Sequence, residues 1–439
     1  MKVLIFTRSE WSDENSTGNT MSNIFGDFDK TNIANIYVRD AKPNNNVCDN
    51  YYSVSDIQIF KSLLKIKTLP GKHFKNNLAQ NQSINNKTSF EKKLYNFFRN
   101  RSKLLPFMFQ NLLWNTNKWK NENLDNFLNE FKPDIIFSPS FYTVYTHKIL
   151  WYLQKKTNAK IVLFHADDYL MLTENNGVKK LLNKNRKKTI IKSINLASLN
   201  YCISQEQQVE YQNELGKKMK LLYKGGVFNE FPLYSMNNEK TIRIIYIGTL
   251  QYGRWKTISQ LVKSIKEVNE KSTIKFTLDI YSQYKPDKKM LNKIEIKDIS
   301  KFKGKIPNNR VIEEMKKSDI VLHVESFDET EKSLTRLSFS TKIVDCLSSG
   351  RTLLAIGDTN LASINYLLKN DAAIIARTEN SIKDHLIEIQ NNPTILNEYA
   401  VKGWKTGVKN HKLSTVRNKF YNELDNLIKD VNKNENSTN

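Results

Sequence analysis

The sequence predicts an α/β protein of two domains, each built on a doubly wound parallel sheet. Short apolar runs alternate with helix-like stretches, the alternation lapses once in a polar connector, and it then restarts with its own strands and its own glycine loop. A chain of 439 residues is too long for one ordinary core, so two domains of roughly 200 residues each are expected. Hydrophobic residues make up 39% of it and aromatics 11%, enough to fill two cores and too many for a disordered chain.

Residues 2–7 (KVLIFT) form a short apolar run, followed by a polar loop holding Gly18 and a helical stretch from Met21. A buried strand, a glycine loop and a helix is how an open parallel sheet begins. Residues 35–38 supply the next strand. Pro133 and Asp134 lead into IIFSPS at 135–140, a helix then runs to Lys155, KIVLFHADD at 160–168 gives a further strand, and YCIS at 201–204 a short one. Strands alternating with helices imply right-handed crossovers. The connector FNEFPLYSMNNEK, 228–240, marks the hinge. Beyond it come strands at 242–248 (IRIIYIG), 276–282 (FTLDIYS), 319–325 (DIVLHVE) and 352–357 (TLLAIG), with helices over 258–269 and 343–348. Near the end Leu413, Val416, Phe420, Leu424, Leu427, Ile428 and Val431 share one helical face, which must pack on something. The last residues, KNENSTN, are expected to fray. The expected division is 1–235, 236–410 and, for the closing helix with its tail, 411–439.

Lys and Arg number 68 against 45 Asp and Glu, a formal net charge of +23. Such an excess favours a polyanionic partner (nucleic acid, anionic lipid or a phosphorylated substrate) or else solvates a lysine-rich surface. No nucleic-acid recognition motif accompanies it, so no nucleic-acid partner is expected. Two stretches set basic charge beside apolar groups. In 90–120, Lys92, Lys93, Arg99, Arg101 and Lys103 interleave with Tyr95, Phe97, Phe98, Leu104, Leu105, Phe107, Phe109 and Trp114, and 179–192 (KKLLNKNRKKTIIK) holds no acidic residue. These read either as peripheral contacts with an anionic membrane or as core helices with solvated outer faces. The opening apolar run is too short for a signal h-region, and no run of about 18 apolar residues exists to span a membrane. Cys48, Cys202 and Cys346 are far apart, odd in number and match no metal spacing, as idle thiols in a reducing compartment would be. A cytoplasmic protein is expected, with peripheral contact at the inner face of the cell membrane.

Two segments of the second half can carry chemistry. In LSFSTKIVDCLSSGRTLLAIG, 337–357, Ser340 and Thr341 stand where a helix begins, and Lys342 adds charge. Unpaired amides at a helix start suit a diphosphate, the two hydroxyls can donate to phosphate oxygens, and Asp345 one turn on can accept from a ribose diol. Gly350 ends that helix. Ser340 and Thr341 serve equally as simple caps. In YIGTLQYGRWKT, 246–257, a strand ends at Gly248, the loop holds Gly253, and Arg254 and Lys256 lead into a helix. Glycines and two cations at a strand's carboxyl end are placed as a phosphate clamp would be, although the loop is neither a Walker A nor a GxGxxG sequence. In the first half, FHADDY at 164–169 offers His165 to steady developing charge and Asp168 as general base toward an acceptor hydroxyl. The alternatives are a hydrogen-bonded wall residue and turn-capping carboxylates, the latter preferred for Asp167.

In order and kind these segments resemble the group-1 glycosyltransferases, whose GT-B fold sets two Rossmann-like domains facing across a cleft, with a C-terminal helix crossing back to the N-terminal domain. The resemblance spans most of the chain: the opening strand with Gly18 in its acceptor-side loop, IIFSPS, FHADDY, YCISQEQQVEYQNELGKKMKLLYKGG and both C-terminal segments. It implies an acceptor-binding first domain and a nucleotide-sugar-binding second one. Gly248 matches the family's glycine after the first C-domain strand. Thr249 stands where the usual Arg would be, and the usual Lys five positions on falls at Arg254, with Lys256 as a substitute. Of the E-x7-E pattern, Asp345 takes the second place, which would hold the ribose, while the first falls on Leu337, beside Arg336. The sequence is thus similar to divergent members with an R-x-S-x-x-T-K-I segment, here Arg336, Ser338, Thr341, Lys342 and Ile343. The resemblance implies a hexosyltransferase that moves a sugar from a nucleoside-diphosphate donor to a hydroxyl of a glycan or lipid-linked acceptor, with retention, in cell-surface polysaccharide or glycoconjugate synthesis. No cofactor and no metal is expected, since cations and a helix end can neutralise the leaving diphosphate. Another GT-B enzyme, such as a sugar-nucleotide epimerase, and a non-catalytic partner subunit are the alternatives.

Overall fold

The computed structural model describes residues 1–64, 68–75, 104–172, 177–229 and 240–436. The basic-aromatic stretch 90–103, most of the connector (230–239) and the tail 437–439 lie outside the described residues. Contacts divide the chain into two units, the first taking Met1–Cys202, Glu214–Lys220 and Lys419–Asn439, the second Ile203–Asn213 and Leu221–Asn418.

The first unit is built on an eight-stranded sheet of β1 (Val3–Thr7), β2 (Ile33–Tyr37), β3 (Asn50–Ser53), β4 (Lys72–Lys75), β5 (Ile135–Pro139), β6 (Lys160–His165), β7 (Leu199–Cys202) and β8 (Lys220–Leu221). The strands lie in the order β4-β3-β2-β1-β5-β6-β7-β8. β3 through β7 pair in parallel, and β4 joins β3 antiparallel. β1 and β5 are buried along their whole length, as strands covered on both faces are, which is why their sequences are largely apolar. Asn35, inside β2, is a polar exception. Its amide donates to the Ile5 carbonyl and to the Thr7 hydroxyl, both at 2.9 Å, tying β2 to β1. β3 (NYYS) and β4 (KHFK) have too few apolar residues to announce themselves; the Tyr51 ring stacks on Phe74 across them at 5.5 Å.

The first helix, Ser16–Phe25, starts earlier than the sequence pattern suggests. The Asn15 side chain accepts from the Gly18 N–H at 2.7 Å and nucleates the first turn there. Gly18 is therefore a helix residue and not part of a loop. A Cβ on it would collide with the Ser12 backbone, so its smallness serves the packing of the preceding loop.

The last helix, Leu413–Asn436, belongs to the first unit from Lys419 onward. Phe420 is 1% exposed and meets Phe25, Phe137 and Tyr201 edge-on at 5.5, 5.8 and 5.6 Å. The Tyr421 hydroxyl donates to the Ile24 carbonyl at 2.8 Å. Glu423 accepts from the Tyr201 hydroxyl and pairs with Lys220 at 3.2 Å.

The second unit has six strands, β9 (Thr241–Ile247), β10 (Lys275–Tyr281), β11 (Ser300–Gly304), β12 (Ile320–Val324), β13 (Thr352–Ile356) and β14 (Ile374–Ala376). They run parallel throughout, in the order β11-β10-β9-β12-β13-β14. The helix Arg254–Asn269 buries Ile258, Leu261, Val262, Ile265 and Val268, spaced to fall on one face, in the core beneath the sheet. β12 and β13 are wholly buried. β11 and β14 are edge strands without a long apolar run, and periodicity does not mark them. Cys48, Cys202 and Cys346 are free and buried. Among the described residues no helix is long and apolar enough to cross a membrane.

Phe420→Ala removes the ring contacts with Phe25, Phe137 and Tyr201 from a buried site and is expected to cost the fold about 3 to 5 kcal/mol, measured as a lower denaturant midpoint. The pH dependence follows from His147, His165 and His411, whose pKa values burial lowers to about 4. The unfolded chain takes up protons at these rings below about pH 6.5, the folded chain only near pH 4. Their contribution to stability is therefore complete above pH 6.5 and lost as pH falls toward 4. Melting temperature at constant ionic strength is expected to drop between pH 7 and pH 5.

Candidate functional site

In a parallel sheet all strand carboxyl ends share one edge, and ligands collect there where the strand order reverses. In the second unit the reversal lies between β9 and β12. The turn 248–253 leaves β9, residues 325–328 leave β12, and Gly357 and Asp358 leave β13. The helix Lys342–Ser348 runs back toward the start of β13, which brings its first turn to the same edge.

Gly253 has φ of +70°, and a Cβ there would collide with the Ser326 hydroxyl, so only glycine lets the turn close over the end of β12. Beneath it lies Arg254. Its guanidinium donates to both carboxylate oxygens of Glu325 at 2.9 Å and, through Nε, to the Val324 carbonyl at 3.0 Å. Glu325 is buried, and His323 Nε2 stands 3.4 Å from its Oε1. Burial opposes ionisation of Glu325, but the charge of Arg254 and the His323 contact overcome it and hold the carboxyl below its ordinary value. Arg254, expected as a phosphate-facing cation, is thus committed to a bidentate ion pair. Glu325 was not singled out in the sequence. Its signal was a charge closing an apolar strand, since a buried charge requires a partner. Lys256 is exposed and pairs with Asp328 at 3.3 Å. The Thr249 hydroxyl accepts from the Gln251 N–H at 3.2 Å, and the Thr249 carbonyl accepts from the Tyr246 hydroxyl at 2.7 Å, so both shape the turn after Gly248.

At the other flank of the edge, Asp345 sits between two ammonium groups, Lys224 Nζ at 2.8 Å and Lys342 Nζ at 3.3 Å. Lys224, within YKGG, was missed because its partner is 121 residues away. Thr341 holds the N-cap position but makes no side-chain cap bond. The Ser340 N–H donates to the Ser363 hydroxyl at 3.0 Å. Arg336 forms a bidentate pair with Glu210, one bond at 2.8 Å. Local contacts hold the intervening segments: the Asp328 N–H to the Ser326 hydroxyl at 3.1 Å, Lys332 to Asp358 at 2.8 Å, and the Ala362 N–H to the Arg336 carbonyl at 2.8 Å. A cavity of about 350 Å³ elsewhere in this unit is lined by Glu206, Tyr223, Tyr366, Asn370 and Asn410, among others, and by none of the residues the sequence singled out.

In the first unit, His165 ends β6 fully buried. Its Nε2 is 3.4 Å from Asn200 Oδ1, and burial lowers its pKa to about 4, so the ring is neutral at pH 7. Asp168 is buried and accepts from the Met171 N–H at 2.9 Å, which fixes the turn after β6. Asp167 accepts from the Tyr169 hydroxyl at 2.9 Å. For His165 and Asp168 these contacts are those of the wall and turn-capping alternatives, while the Asp167 bond is to a side chain. Among the described residues no group of three His, Cys, Asp or Glu side chains is gathered as metal ligands would be.

No protein-family model and no curated protein matches the chain. Solved structures do. Anabaena HepE in complex with UDP and glucose superposes with a TM-score of 0.62 at 11% identity, over 97% of this chain and 100% of that one. Sucrose-phosphate synthase from Thermosynechococcus elongatus gives 0.60 at 9% identity, over 96% and 98%. A UDP-forming α,α-trehalose-phosphate synthase from Burkholderia vietnamiensis gives 0.59 at 10%, over 97% and 100%. These are glycosyltransferases of the GT-B type, and at such identities the likeness carries the fold: the chain is a divergent protein of the GT-B fold.

Proposed function

We propose that the protein transfers a sugar from a nucleoside-diphosphate donor to a hydroxyl acceptor, with the donor bound at the carboxyl edge of the second sheet. The observation that supports this most is the Lys224–Asp345–Lys342 cluster. It places two ammonium groups and a carboxylate, all partly buried, on the edge where an open α/β sheet takes its ligands. A pyrophosphate can draw on both lysines, and Asp345 suits the paired hydroxyls of a ribose. The matched structures add weight, since HepE was solved with UDP-glucose and the trehalose-phosphate synthase is UDP-forming. Uridine donors are therefore the first to try.

As the sugar leaves, negative charge grows on the diphosphate, and cations already in place stabilise it without rearranging. Lys342 and Lys224 are the groups assigned to that task, while Lys256 is paired with Asp328. Arg254 acts differently: paired with Glu325, it holds the turn closed by Gly253. On the acceptor side Asp168 is the general-base candidate and His165, neutral and buried, shapes the wall behind it. A glycan or lipid-linked hydroxyl, retention at the anomeric carbon and a place in surface-polysaccharide synthesis complete the reading. The engagement of Arg254, with Leu337 in place of the first acidic residue, favours a second reading, a member that binds sugar nucleotide without turning it over.

UDP is expected to raise the melting temperature, and Lys342→Ala or Lys224→Ala to weaken binding about tenfold or more, the worth of one charge-assisted contact. If no nucleoside diphosphate moves the melting curve, the donor site is misassigned. NMR of the product anomer checks retention, and binding without hydrolysis or transfer in any acceptor screen selects the second reading. Glu325→Gln strands the Arg254 charge in a buried site and is expected to destabilise the fold by about 3 to 5 kcal/mol, read by chemical denaturation.

A further inference from the structure

The cavity of about 350 Å³ in the second unit has a chemistry that the donor site does not use. Two of its lining side chains are Tyr223 and Tyr366, and behind them stand Phe339 and His411, both buried. All six pairs among these four rings are in contact, with centroids 5.0 to 5.9 Å apart. Hydrogen bonds lock the cluster. The Tyr366 hydroxyl lies 2.8 Å from His411 Nε2 and accepts from Asn410 Nδ2 at 2.9 Å, and Asn370 Nδ2 donates to the Tyr366 carbonyl at 2.8 Å. A wall fixed in this way before a ligand arrives lowers the cost of binding one.

The polar groups around these rings are not all used by the protein. The Tyr223 hydroxyl and the Gln205 side-chain amide have no hydrogen-bond partner among the described residues. Glu206 receives the Asn365 amide at 2.6 Å and Lys369 Nζ at 3.3 Å on the same oxygen, Oε1, which leaves Oε2 to accept from a ligand. Lys369 offsets the Glu206 charge, and the other lining side chains are uncharged. An ion therefore finds no surplus of opposite charge here, in contrast to the Lys224–Asp345–Lys342 cluster. An amide and a hydroxyl that each donate and accept, a carboxylate oxygen and two tyrosines match a ring with hydroxyls at its edge and C–H groups on its face. The volume falls at the small end of the range for small-molecule pockets, about 300 to 1,000 Å³. We infer that this cavity binds an uncharged sugar ring. None of Lys224, Lys342 and Asp345 lines it, so it is a second site, independent of the donor assignment.

The test is a ligand-observed NMR titration of the full chain with glucose, galactose, N-acetylglucosamine and glucose 6-phosphate, with and without saturating UDP. At least one of the three neutral sugars is expected to bind. UDP is expected not to displace it, and the phosphate to add no affinity. Gln205→Ala with Tyr223→Phe removes only groups that the protein itself leaves unpaired, so the melting temperature is expected to hold. Sugar affinity is expected to fall about tenfold, the worth of two neutral hydrogen bonds. UDP binding by the same variant is expected to match that of the wild type, which separates this result from that of the donor site. Failure of all three neutral sugars to bind overturns the proposal, as does binding that the double variant leaves unchanged. Displacement by UDP overturns it too, because the sugar would then occupy the donor edge, and so does tighter binding of glucose 6-phosphate, which would make this an anion site. Should the double variant melt early, Gln205→Ala alone, at an exposed position, carries the same test with an expected loss of about fivefold.

Discussion

Arg254 and Glu325 are both removed from water, and each is tolerated there only because of the other. Taking either charge out of solvent alone costs several kcal/mol. Held at 2.9 Å in a two-bond fork, they fasten the first residue of the helix Arg254–Asn269 to the end of β12. The strand order reverses between β9 and β12, so this pair sits at the switch point of the second sheet. The turn capped by Gly253 lies over it, and the Thr257 hydroxyl adds a 3.0 Å bond to the Glu325 carbonyl. The geometry of the whole carboxyl edge is set from this point outward.

From there the edge divides its labour. The β9 flank is internally neutralised, with Arg254 on Glu325 and Lys256 on Asp328. The other flank gathers two cations on one carboxylate, Asp345, and so keeps a surplus of positive charge. An anionic ligand is drawn to surplus and not to balance. Electrostatics alone therefore favours the Lys224–Lys342 side for the diphosphate and leaves the glycine turn as its wall.

What the sequence made legible were features that repeat over short distances. β1, β5, β12 and β13 show as largely apolar runs because both faces are covered, and the helix face of Phe420 and Leu424 shows by its period. β4 and β11 did not show, since edge strands need only backbone pairing and tolerate Lys and His, and β3 and β14 are too short to give a period. The start of the first helix was missed because Asn15 caps a turn that carries no apolar signal. In the site, Lys342 and Asp345 were visible as neighbours on one helix. Lys224 and Glu325 were not, because a salt bridge between residues far apart in sequence leaves no local trace. For the same reason Arg254 looked like a free cation.

The assignment of Lys419–Asn439 to the first unit has a consequence for synthesis of the chain. Phe25, Phe137 and Tyr201 emerge from the ribosome long before Phe420, the ring that seals them. During translation of the entire second unit the first one carries an unfilled aromatic socket. Completion of that sheet's core thus waits on the helix Leu413–Asn436, and a nascent chain stalled short of it is a substrate for chaperones or for aggregation.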